Sequence, residues 1–141
     1  MSKFISRGQC RIRLVAEQFK IPSDVLLVEE DALIALNTED MLREIGVGRV
    51  RVAGTVDSAL AAIEEHPPDF ALLDVYLCGE SALKIAYRLA EEAAPFAFTS
   101  GIGEAAALPA EFAQTRILRK PFTVDMLRSA LLQIDAGEYF A

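Results

Sequence analysis

The sequence predicts an α/β domain, a doubly wound five-stranded parallel sheet with helices on both faces and strand order 2-1-3-4-5. Three observations lead there. Short apolar runs alternate with helical patterns five times along the chain. Two of those runs, Val25-Leu26-Leu27-Val28 and Phe70-Ala71-Leu72-Leu73, are unbroken, as in strands buried on both faces. Most of the runs end in a chemically capable residue: Glu29, Asp74, Ser100 or Lys120. Open α/β sheets place their chemistry at the carboxyl ends of their strands. On its own stretch Asp74 also fits a plain turn cap. The rest of the chain decides between the two.

Composition sets the limits. A chain of 141 residues with 52% hydrophobic and 25% charged residues is long enough for one full core. Its net charge of −7 argues against nucleic acid as a partner for the body of the domain. No apolar run approaches the roughly 20 residues of a membrane helix, and the start lacks a signal-peptide pattern. The two cysteines, Cys10 and Cys78, lack metal-ligand spacing beside a single histidine, so a structural zinc site is not expected. Reduced thiols in a cytoplasmic protein are the expectation.

Residues 1–23 form a basic extension, in which Lys3, Arg7, Arg11, Arg13 and Lys20 outweigh Glu17. Ile12, Val15, Ala16 and Phe19 recur at helical spacing, and Pro22 would stop that helix. A loose extension and a docking segment for a second subunit or another acidic surface both stay open, and with them a homodimer. Strand 1, residues 25–28, runs into Glu29-Glu30-Asp31. A helix follows over 32–45, with Ile34, Met41, Leu42 and Ile45 as its inward stripe and Gly46 as its stop. Leu33 and Leu36 widen that apolar face beyond one core contact, either as more core or as a partner-docking surface. Residues 49–53 alternate polar and apolar, as an edge strand does. Gly54 and Asp57 mark a turn and a helix start, 59–65 is helical, His66-Pro67-Pro68 ends it, and His66 reads as a solvated helix end.

After the Asp74 strand, Gly79 breaks the chain and a helix is expected over 81–92, with Leu83, Ala86, Tyr87 and Leu89 on or near its inner face. Strand 4 covers 96–99 and leads into Ser100. Residues 101–114 hold Gly101, Gly103 and Pro109, so any helix there is short and the stretch is expected to be mobile. Ile117-Leu118 is a brief fifth strand before Lys120-Pro121-Phe122. A last helix over 123–134 carries Val124, Leu127, Leu131 and Ile134, and residues 136–141 form a short tail.

In this order strands 1 and 3 are neighbours at the switch point. Glu29, Glu30, Asp74, Ser100 and Lys120 then converge on one edge. Three carboxylates about 5 Å apart repel by roughly 3 kcal/mol per pair at an effective dielectric of 20. Such a cluster calls for a cation, and oxygen-only donors suit Mg²⁺ or a similar hard ion. A metal, a lysine, a hydroxyl and a nucleophilic carboxylate are the parts that move a phosphoryl group onto Asp74.

These pieces resemble the receiver domain of bacterial two-component response regulators. The matching segments are residues 25–31, 70–74, 96–101 and 120–122, and the resemblance covers residues 24–135. It implies the flavodoxin-like (βα)5 fold. Asp74 matches the phosphoacceptor. Glu29 and Glu30 match the acidic pair, with Glu30 as direct metal ligand. The main-chain carbonyl of Tyr76 completes the metal site. Ser100 matches the switch hydroxyl and Lys120 the lysine, and the Lys120–Pro121 bond is expected to be cis. The resemblance further implies Mg²⁺, a sensor histidine kinase or phosphotransfer protein as donor, and an unidentified downstream protein. Segments 95–98 and 100–103 look like those of stand-alone receivers.

Three departures stand out. Glu30 replaces the usual Asp, and its extra methylene carries the carboxylate about 1.5 Å further, enough to alter or displace the ion. Cys78 stands where Pro is common, and Ile117 where many receivers carry a switch aromatic. The alternative reading is therefore a pseudo-receiver scaffold with weak or no phosphorylation. An enzyme is the third reading. Phosphatases with an aspartate nucleophile want a second Asp at position 76, which is Tyr76. A flavin site would want a phosphate loop where Glu29-Glu30-Asp31 stands. The expectation is a signalling domain that at most catalyses its own phosphorylation and dephosphorylation.

Overall fold

The computed structural model describes residues 20–77, 79–101 and 108–133, the side chains of 80 and 81 aside. The amphipathic stretch before Lys20, Cys10, Cys78, most of the stretch expected to be mobile, Ile134 and the tail lie outside the described residues. Strands β1 (Asp24–Val28), β2 (Arg49–Ala53), β3 (Phe70–Asp74), β6 (Phe96–Ser100) and β7 (Ile117–Arg119) form one sheet. β4 (Tyr76–Leu77) and β5 (Glu80–Ser81) form a separate antiparallel hairpin. The sheet order is β2-β1-β3-β6-β7, which is 2-1-3-4-5 once the hairpin is left out of the numbering. All four pairings in the sheet are parallel.

The strand pleat divides the core in two. Val25, Leu27, Phe70, Leu72, Ala97 and Leu118 face helices α1 (Ala32–Ile45) and α4 (Val124–Leu131). Leu26, Val28, Ala71, Leu73 and Phe98 face α2 (Val56–Glu65) and α3 (Leu83–Glu91). The three central strands are therefore apolar at nearly every position, because both of their faces are covered. β2 and β7 are the edges, and their exposed positions carry Arg49, Val52, Ile117 and Arg119.

The helix ends follow local chemistry. The Asp31 carboxylate accepts from the Leu33 and Ile34 amides, and Gly46 closes α1 at φ 118°, a conformation costly for any residue with a Cβ. On α1, Ala35, Thr38 and Leu42 are buried, while Ile34, Met41 and Ile45 are half-buried. Thr55 and Ser58 form a reciprocal capping box that starts α2 at Val56, one residue before the expected start at Asp57. Helix α3 starts two residues later than expected, because Ser81 pairs with Tyr76 in the hairpin. Between β6 and β7 the described residues hold a single 3₁₀ turn (Ala110–Phe112). Pro109, at ψ 155°, is extended and stands just before it.

Candidate functional site

The site forms where β1, β3, β6 and β7 end together. The Glu29 amide donates to the Ala53 carbonyl at 3.0 Å, which carries the sheet one residue past β1 and leaves Glu29 buried. Glu29 Oε2 accepts from the Asp31 amide at 3.2 Å, so the turn that caps α1 also aims this carboxylate. Asp74 is the last residue of β3 and is 5% exposed. Lys120 follows β7, and its amide donates to the Ser100 carbonyl at 2.9 Å. The Lys120–Pro121 peptide is cis. The lysine Nζ lies 2.8 Å from Glu29 Oε1 and 3.3 Å from Asp74 Oδ2.

Two buried carboxylates therefore share one ammonium. Burial pushes the Asp74 carboxyl up, and Glu29 adds to this against the pull of Lys120, so its pKa stands at about 6. Burial also works against the charge on Lys120. The hydrogen bond to Glu29 and the negative charges of Asp74 and Glu29 outweigh it and hold the ammonium above the ordinary lysine value. Ser100 is 1% exposed, and its Oγ has no hydrogen-bond partner among the described residues. A buried hydroxyl in that condition costs about 1–3 kcal/mol.

The structure thus brings Glu29, Asp74 and Lys120 together and sets Ser100 on the neighbouring strand, one residue past the Asp74–Thr99 pairing. Glu30 sits at the bend after Glu29, is exposed, and makes no ion pair among the described residues. No group of three or more His, Cys, Asp or Glu side chains among the described residues is arranged to hold a metal ion. Tyr76 opens β4 and is 37% exposed. His66 caps the end of α2, with its Nε2 3.6 Å from Asp24. Asp24 opens β1, at the amino ends of the strands. It also takes part in an ion pair missed in the sequence: Arg51 grips Asp24 through Nε and Nη2 at 3.1 and 2.8 Å and satisfies the Ala62 and His66 carbonyls. An Arg inside an alternating edge strand was its one signal.

A doubly wound sheet carrying acid, hydroxyl and lysine at its carboxyl edge defines a broad class of α/β proteins. Within that class, the chain belongs to the response regulator receiver domain family, whose model matches residues 25–132. The transcriptional regulatory protein PdtaR of Mycobacterium tuberculosis is 33% identical over 72 residues, covering 51% of this chain and 35% of that protein. The match thus spans about a third of the length of that relative. The solution structure of SdrG from Sphingomonas melonis Fr1 is similar at 35% identity and a TM-score of 0.71, covering 79% of this chain and 97% of that one. The receiver domain of Erythrobacter litoralis PhyR shares the fold at 24% identity, a TM-score of 0.70, and coverage of 83% and 91%. Among the described residues no helix is long and apolar enough to cross a membrane.

Proposed function

We propose that this receiver accepts a phosphoryl group on Asp74 from a histidine kinase or phosphotransfer protein, and signals by binding or releasing another protein. One observation carries the reading: the Lys120 ammonium sits between Glu29 and a buried, strand-end Asp74. In the transfer, an Asp74 carboxylate oxygen forms a bond to phosphorus as the phosphorus–nitrogen bond of the donor phosphohistidine breaks, and the ring, already protonated on its other nitrogen, leaves as neutral imidazole with the bonding electron pair. With its pKa at about 6, Asp74 is largely ionised at neutral pH and ready to attack. Lys120 offsets charge on the transferring oxygens, and the Ser100 hydroxyl gains the acceptor it lacks.

The donor set suits a hard divalent ion: carboxylates and a carbonyl, with two buried acids against one ammonium. Glu29, Glu30, Asp74 and the Tyr76 main-chain carbonyl would hold Mg²⁺. When bound, the ion would neutralise charge on the phosphoryl oxygens. Lys120 also lines a cavity of about 400 Å³ with Leu33, Ile34, Met41, Pro121 and Phe122. Leu33 is 78% and Leu36 57% exposed beside it, an apolar seat for a donor protein next to the acceptor.

Incubation with acetyl phosphate and Mg²⁺ is expected to add one phosphoryl group by intact mass, and Asp74→Asn is expected to add none. No gain with any donor overturns the reading. The exposed position of Glu30 favours a second one, a scaffold that no longer needs phosphate. Magnesium titration separates them, since a scaffold shows no binding at millimolar ion.

A further inference from the structure

The pleat of β6 puts Phe96, Phe98 and Ser100 on one face of the sheet. On that face the Phe98 ring meets Phe112 edge-on, with centroids 5.7 Å apart, and Phe96 meets both rings at 5.6 and 6.1 Å. Tyr87 of α3 covers Phe112 from outside at 5.3 Å. Its hydroxyl donates to the Glu111 carboxylate, which keeps the phenol proton bound above the usual tyrosine range. Glu111 and Phe112 both belong to the 3₁₀ turn. The turn is therefore held inside by ring contacts that lead to β6, and outside by one exposed hydrogen bond. Ile117, at the position where an aromatic residue would be expected to report on Ser100, is 36% exposed on an edge strand.

We propose that Tyr87 and Glu111 form a latch that holds the 3₁₀ turn against α3 while Asp74 is unmodified, and that phosphorylation opens it. The inference rests on Asp74 being the acceptor. The Ser100 hydroxyl is buried without a partner among the described residues, and a phosphoryl oxygen on Asp74 supplies one. Drawing Ser100 toward that oxygen shifts the end of β6, and Phe98, two residues back, shifts with it. Close-packed rings have two discrete arrangements rather than a continuous range, so Phe112 must follow or part from Phe98. Its weakest restraint is the solvent-facing bond between Tyr87 and Glu111. Opening the latch uncovers Phe112 and re-forms the surface of α3, and this surface is what a partner reads.

The amides of Phe112, Ala113 and Thr115 donate within or just past the turn, so their hydrogen exchange reports its closure. Exchange is followed by mass spectrometry with and without acetyl phosphate and Mg²⁺, and the phosphoryl mass on Asp74 is read in the same samples. Phosphorylation is expected to speed exchange at these amides about fivefold in the unsubstituted protein, the scale of one modest hydrogen bond. Tyr87→Phe keeps the ring on Phe112 but removes the donor, so it is expected to show the faster rate before phosphorylation and to gain little after. Glu111→Gln is expected to behave the same way. A full phosphoryl gain with unchanged exchange overturns the latch and leaves the acceptor reading standing. So does a Tyr87→Phe protein that exchanges like the unsubstituted one before phosphorylation. No phosphoryl gain overturns both.

Discussion

Asp74 shows how a single side chain is tuned by what surrounds it. Strand position makes it a buried carboxylate, and burial raises its pKa to about 6. The folded state therefore holds this proton more tightly than the unfolded chain does, whose value is 3.8. The contribution of Asp74 to stability is full below pH 3.8 and is lost as the pH rises through about 6. Asp74→Asn is accordingly expected to be more stable than the unsubstituted protein at pH 7.5 in EDTA, by at most about 3 kcal/mol at roughly 1.4 kcal/mol per pH unit. The gap is expected to close by pH 4, and urea melts at the two pH values check it. A gap that widens toward pH 4 contradicts the assignment. The place of Asp74 at the end of a buried strand could be read from the chain, because the apolar run before it stops there. The places of Glu29 and Glu30 could not be told apart. Their exchange of burial for exposure depends on the turn at Asp31, where the backbone amide takes Glu29 Oε2.

At the scale of elements, α2 tests how far local chemistry sets a boundary. Turn signals at Gly54 and Asp57 mark its start only loosely; the helix begins at Val56, because the Thr55 hydroxyl accepts from the Ser58 amide and the Ser58 hydroxyl accepts from the Thr55 amide. Thr55→Ala is expected to lower stability by about 1 kcal/mol in denaturant melts, with the phosphoryl gain on Asp74 unchanged. A loss below a few tenths of a kcal/mol would mean that water replaces the cap. The 3₁₀ turn between β6 and β7 makes the opposite point. Its sequence is rich in alanine, a good helix former, yet Pro109 and one buried ring shape it. Propensity there yields to the packing of Phe112 against β6. The Tyr87–Glu111 bond joins residues 24 positions apart and left no trace in sequence spacing.

Across the whole molecule, Lys120 ties three strand ends together. It reaches Glu29 over 91 positions of sequence, it also reaches Asp74, and its amide is fixed to Ser100. Removing it leaves two buried acids facing each other. Lys120→Met is expected to cost about 3 kcal/mol at pH 7.5, in the range for breaking one partner of a buried pair. The loss is expected to shrink near pH 5, where Asp74 takes up its proton, and thermal melts across that range check it. An equal cost at both pH values would assign the loss to packing rather than charge.

Sequence alone determined the parallel sheet, its order and the sheet edge where acid, hydroxyl and lysine gather, because apolar period and strand-end residues are local properties that burial on two faces imposes directly. Only the tertiary structure decided which acids the lysine grips, that Glu29 is buried while Glu30 is exposed, and that Tyr87 leans on Phe112. Those are distances between residues far apart in the chain, and they follow from strand register and turn geometry that no local pattern encodes.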